Sequence, residues 1–182
     1  MGKPDDMHEL LVAAIPNLRA FAISLCSNSH LADDLVQETL VRAWAHRSSF
    51  CAGTNLKAWL FTILRNAFFT EYRRAQREVL DVDGKYAGHL VTPPDQLGCL
   101  ALDDFLRALN QLPPDQREVL ILVGAEGFSY KEAASICGCA VGTVKSRVSR
   151  ARLRLAEVAW IGDQKLDTTL LLNEMDELSE VD

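Results

Sequence analysis

Residues 128–155, FSYKEAASICGCAVGTVKSRVSRARLRL, decide how the chain is read. Ser129 can cap a first helix whose apolar face is Ala133, Ala134 and Ile136, and the Gly138-Cys139-Ala140 turn stops it. A second helix follows. Val141, Val144, Val148, Ala151 and Leu155 recur at steps of three and four and form one inward stripe. At about 100° per residue, Thr143, Ser146, Arg147, Arg150 and Arg154 gather on the opposite side, with Lys145 beside them. Residues 131–154 carry six basic side chains and one carboxylate in a chain whose net charge is −6. Two short helices across a tight glycine turn, the second β-branched inward and basic outward, form a helix-turn-helix whose second helix fits a DNA major groove. Arg147 and Arg150 suit guanine or phosphate, and Thr143, Lys145 and Ser146 can fix register on the backbone. The competing explanation is a basic face that is merely solvated; turn, stripe and charge together favour DNA.

The rest of the chain sets limits on what this reader can be part of. With 182 residues, 48% apolar and 24% charged, the composition is that of a soluble globular protein with one large domain or two small ones. No basic region followed by an apolar stretch opens the chain, and no apolar run is expected to approach the roughly 18 residues of a membrane span. A cytoplasmic protein with no membrane attachment is expected. Five cysteines at 26, 51, 99, 137 and 139 read as reduced thiols. Cys137 and Cys139 lack the second ligand pair that a metal site needs, so neither metal nor cofactor is expected. No nucleophile–base pair or phosphate loop appears, which argues against an enzyme.

Upstream, Asp5 and Asp6 can open a helix that Pro16 either kinks or divides, with Leu18, Phe21, Ala22 and Leu25 inward. Ser29 is expected to cap a helix over 30–47 that turns Leu31, Leu35, Val36, Thr39, Leu40 and Ala43 to a core. Its other face shows Asp34, Gln37, Glu38 and Val41, a mixture of carboxylate, amide and apolar area suited to a protein interface, or else a solvated acidic face. A loop with Phe50 at its middle leads to Thr54 or Asn55, either of which can cap a helix over 55–77. Leu56, Trp59, Leu60, Ile63, Leu64 and Ala67 are its core side. Arg65, Asn66, Phe69, Tyr72 and Arg73 lie outward, rings for unpaired bases and guanidiniums for phosphates. Phe68 continues the core.

From 78 to 98 periodicity fails, and Gly84, Gly88, Pro93, Pro94 and Gly98 mark a linker between domains. The expected fold is all-α, with two small helical domains at 1–77 and 99–160. In the second, Leu102, Phe105, Leu106 and Leu109 face inward, and Pro114 starts a helix running to about Gly124. Residues 161–182 hold seven acids and one lysine and read as a flexible tail.

DDLVQETLVRAW (33–44), NLKAWLFTILRNAFFTEYRR (55–74) and LPPDQREVLILVGAEGFSYKEAASICGCAVGTVKSRVSRARLRLAE (112–157) resemble, in order and separation, the extracytoplasmic-function sigma factors of bacterial RNA polymerase. DVDGKY (81–86), GFSYKEAA and CGCAVGTVKSRV look most like the general-stress-response group of alphaproteobacteria. The resemblance implies that the 30–47 helix docks on the β′ clamp helices of core polymerase through Asp34, Gln37, Glu38 and Val41, with further contacts to the β subunit. It implies that Phe50, Arg65, Asn66, Phe69, Tyr72 and Arg73 melt the −10 element and capture an unpaired base. It assigns −35 duplex to Thr143, Lys145, Ser146, Arg147, Arg150 and Arg154. Partners implied are core polymerase, promoter DNA and a small NepR-type anti-sigma factor released by a PhyR-type regulator. The alternative is a sigma-like decoy that binds the anti-sigma factor without starting transcription; the intact DNA-facing residues favour the sigma factor. A repressor acting on duplex unaided leaves the 30–77 helices without a role.

Overall fold

The computed structural model describes residues 4–51, 53–81 and 107–161, and every regular element among them is helical. The chain divides into two compact units, 1–94 and 95–182.

In the first unit, α1 (Pro4–Cys26) packs on α2 (Ser29–Ala45) and α3 (Leu56–Asp81). Leu18, Phe21, Ala22 and Leu25 are buried as their spacing predicts, joined by Leu11. Phe21 stacks on Phe61 with ring centroids 4.8 Å apart. Pro16 neither ends nor divides α1, which continues through it. Both Pro16 and Val12, whose carbonyl loses its helical donor, lie on the solvent side, where water can satisfy that oxygen.

α1 also corrects an expectation about membranes: Met7–Cys26 is 20 residues long with mean hydropathy 1.5, enough by length and composition to cross a bilayer. Its apolar content has a nearer explanation in the buried face it turns to α2 and α3.

The α1–α2 turn passes through Ser27 at φ 55°, an uncommon left-handed conformation for a residue with a side chain. Asn28, not Ser29, caps α2, its Oδ1 accepting from the Leu31 amide at 3.1 Å. Leu31, in the first turn, is 45% exposed instead of in the core, while Leu35, Val36, Thr39 and Ala43 are buried and Leu40 is half-buried. The buried Thr39 hydroxyl donates to the Leu35 carbonyl at 2.7 Å, so no polar group is stranded. A 3-10 turn, Arg47–Ser49, follows. Asn55 caps α3 by accepting from the Ala58 amide at 3.1 Å. Leu60, Phe61, Leu64, Ala67 and Phe68 are its buried side, and Leu56, Trp59 and Ile63 are half-buried. α3 runs to Asp81, four residues past the expected end of the first domain. The remainder of the expected linker, the inward Leu102, Phe105 and Leu106, and the acidic tail beyond Ile161 lie outside the described residues.

In the second unit a helical turn at 107–110 leads to α4 (Pro114–Gly124), which begins on Pro114 as expected. α5 (Tyr130–Cys137) and α6 (Val141–Ile161) complete it. Ser129 closes a full capping box: its hydroxyl accepts from the Glu132 amide at 3.2 Å, and Glu132 Oε2 accepts from the Ser129 amide at 3.0 Å. Gly138 ends α5 at φ 63°, where an L side chain would be strained. Val144, Val148 and Ala151 are fully buried; Val141 and Leu155, at the ends of the stripe, are half-buried.

α4 departs from a simple apolar helix. Gln116, Arg117 and Glu118 are all buried beside Val119 and Leu122. The Arg117 guanidinium donates to the Asn110 side chain at 3.2 Å and to the carbonyls of Asn110 and Leu112 at 3.0 and 3.1 Å, fastening the preceding segment to α4.

Candidate DNA and polymerase interfaces

Three surfaces carry the sequence-predicted residues. On α6, Lys145 and Arg150 are exposed, and Thr143 and Ser146 are half-exposed. The Arg150 side chain folds along its own helix, Nε donating to the Ser146 carbonyl at 3.2 Å and Nη2 to Ser146 Oγ at 3.1 Å. Lys145 Nζ lies 5.6 Å from the Tyr130 ring centroid. Ser149 is also exposed, one turn beyond Lys145, and joins this face although its charge-free side chain drew no attention in the sequence.

Arg147 and Arg154 point elsewhere. Arg147 Nε sits 3.2 Å from Asp115 Oδ2 and Nη1 3.7 Å from Glu118 Oε1, both on α4. Arg154 Nη1 donates to Gln116 Oε1 at 3.3 Å, though the residue stays largely exposed. The expectation of an outward cationic row free of carboxylates therefore holds for Lys145 and Arg150 and not for Arg147. The carboxylates come from another helix, which one-helix periodicity does not display.

On α3, the aromatic and cationic group is continuous. Phe68 is buried, with Phe69 edge-on to it at 5.1 Å and Tyr72 stacked at 5.8 Å, so both outer rings are held in place by a core ring. Phe69 and Tyr72 are half-exposed, Asn66 and Arg73 exposed. Arg65 covers the Phe69 face at 4.7 Å and donates to Asn66 Oδ1 at 3.4 Å. Gln76 donates to the Tyr72 hydroxyl at 3.0 Å. Phe50 is not in this group: its ring leans on Trp59 at 5.3 Å. Trp59 and Phe69 are ten positions apart on α3, about 15 Å along the axis.

On α2, Asp34, Gln37, Glu38 and Val41 share one side, at steps of three and four. Val41 is 68% exposed, and Glu38 pairs with Arg42 at 2.5 Å. Beside them Val41, Leu40 and Trp44 join His8, Leu11, Val12 and Ile15 of α1 in an apolar groove of about 430 Å³. Val12 in this lining is half open to solvent, and Leu10 on α1 is also exposed. Across the α1–α2 seam, Arg19 Nε donates to Asp33 Oδ1 at 2.6 Å. That hydrogen bond, with the attraction between the charges, lowers the Asp33 carboxyl and raises Arg19 from their ordinary values. Among the described residues no cluster of His, Cys, Asp and Glu is suited to a metal. Cys137 is buried and Cys139 half-buried on either side of Gly138.

An aromatic-basic helix in the first unit and a helix-turn-helix in the second match two known family models in the same order: sigma-70 region 2 over residues 10–78 and sigma-70 region 4 over residues 102–155. These define a two-region sigma-type transcription factor. The chain is 58% identical over 157 residues to the ECF RNA polymerase sigma factor EcfG of Rhodopseudomonas palustris, covering 86% of this chain and 87% of that one. It is 34% identical over 139 residues to the ECF sigma factor SigM of Bacillus subtilis, covering 74% and 83%. Among solved structures, the sigma factor RpoE in its complex with the anti-sigma factor NepR from Bartonella quintana is 56% identical, with a TM-score of 0.77 over 87% of this chain and 99% of that one. The chain belongs to the ECF sigma factors of RNA polymerase. As a member of that family it directs core polymerase to promoters, acting by binding.

Proposed function

We propose that the two units divide promoter recognition between them: the Lys145, Ser146, Arg150 face of α6, flanked by Thr143 and Arg154 and backed by Arg147, takes −35 duplex, and the Arg65, Asn66, Phe69, Tyr72, Arg73 face of α3 takes unpaired −10 bases. The observation that carries this reading is the pair of rings at Phe69 and Tyr72. They are braced by Phe68 and half-exposed, with Arg65 over one face of Phe69, and such held, partly open rings suit stacking on an extruded base. Phe50, braced on Trp59, is assigned to the loop that meets the same strand further along. Core polymerase, through its β′ clamp helices and β subunit, is taken on the α2 side bearing Asp34, Gln37, Glu38 and Val41. The working boundaries are 1–77 for the polymerase and −10 region, 78–98 for the linker, 99–160 for the −35 region and 161–182 for an acidic tail. The promoters are those of a stress response, and the site of action is the cytoplasm, where polymerase works.

A NepR-type anti-sigma factor is proposed as the inhibitor, supported by the 56% identity to the RpoE that NepR holds. In-vitro transcription with purified core polymerase and a promoter library tests the assignment. Specific transcripts are expected only when the chain is added. A chain that binds NepR but yields no transcript would instead be a decoy.

A further inference from the structure

The cations of α6 fall into two sets. Lys145 and Arg150 are exposed, whereas the Arg147 side chain is only 24% exposed and stands against two carboxylates of α4. Asp115 and Glu118 are three residues apart and so present to α6 from one side of α4. Glu118 has no exposed side-chain surface, and a carboxylate removed from water is stabilised by a cation beside it. Two turns further along α6, about 10 Å, Arg154 reaches the buried Gln116. Two attachments at that separation fix both the tilt and the rotation of α6 on α4.

Resting on the duplex-reading assignment for α6, we infer that Arg147 is a positioning residue: it clamps the recognition helix to α4 through Asp115 and Glu118 and does not itself touch DNA. Its charge is already matched by carboxylates, so it adds little to the displacement of counterions from phosphate. Turning it toward DNA would break its contacts with Asp115 and buried Glu118. What it supplies is the angle at which Lys145, Ser146 and Arg150 meet the groove.

The test uses the full chain loaded on core polymerase and a set of duplex promoters altered singly through the −35 element, with binding measured over a range of salt. Arg150→Gln is expected to relax preference at one base pair or to lower the salt slope by about one. Arg147→Gln should weaken every promoter together, on the order of tenfold, with the salt slope unchanged. Asp115→Asn, a milder change at a part-exposed carboxylate, should give the same uniform pattern, and the double variant should be no worse than the stronger single. Circular-dichroism melts check that each variant remains folded; should Arg147→Gln not fold, the Asp115→Asn profile decides. The inference is overturned if Arg147→Gln erases preference at a single base pair, lowers the slope, or has no effect. It is equally overturned if Asp115→Asn leaves binding unchanged or tightens it. A wild-type holoenzyme indifferent to the −35 sequence would instead sink the duplex-reading assignment, and the positioning role with it.

Discussion

Ser129 shows how one side chain starts a functional element. Its hydroxyl and the Glu132 carboxylate satisfy two amides that α5 would otherwise leave open at its first turn. Ser129→Ala should destabilise the second unit by about 0.5–2 kcal/mol, read from urea unfolding. Arg117 carries a larger load. It is buried and donates three hydrogen bonds to the chain before α4, so Arg117→Ala should destabilise by at least about 1.5–3 kcal/mol, the range for losing hydrogen bonds to a charged group. Phe69 is half-exposed with a core ring beside it, and the proposed −10 surface assigns it to base stacking instead of to the core. Phe69→Ala is expected to weaken −10 opening by about 1–3 kcal/mol per lost stacking contact, measured by permanganate reactivity on holoenzyme. An unchanged footprint would remove Phe69 from the −10 surface.

At the scale of helices, α2 works by having two unlike sides. One is core; the other pairs carboxylates with an exposed Val41 and borders the apolar groove shared with α1. Changing Asp34 and Glu38 together to Ala should reduce retention by core polymerase in a pull-down while the helical signal stays unchanged, since neither side chain is in the core. Full retention would refute their role. The Arg19–Asp33 link between α1 and α2 is exposed and correspondingly weak. Asp33 is lowered in the folded chain, so its small contribution is complete above the ordinary carboxylate range and fades as pH falls through the lowered value. Asp33→Asn should therefore change little in a neutral melt and nothing in a strongly acidic one.

For the whole molecule, charge explains why polymerase is needed. Residues 1–160 are neutral, and the seven acids and one lysine of 161–182 give the chain its −6. A chain with so little net attraction to phosphate should hold promoter DNA weakly by itself, whereas two modest contacts spaced by polymerase act as one bivalent grip. Permanganate footprinting should show −10 opening only with core polymerase present. Opening by the isolated chain would overturn the shared recognition proposed above.

Periodicity and punctuation in the sequence settled the helices, the order of the two units and the helix-turn-helix. The turn at Gly138, the stripe of Val144, Val148 and Ala151 and the cap at Ser129 are local features, governed by backbone angles and side-chain spacing within a few residues. The same local logic misplaced the α2 cap by one residue, because Asn28 and Ser29 are both good caps and only the backbone at the α1–α2 turn selects between them. It also grouped Arg147 with Arg150. Which side of α6 meets α4, and that α4 brings Asp115 and the buried Glu118 to that seam, depend on a contact between helices some thirty positions apart, and tertiary packing alone decides it.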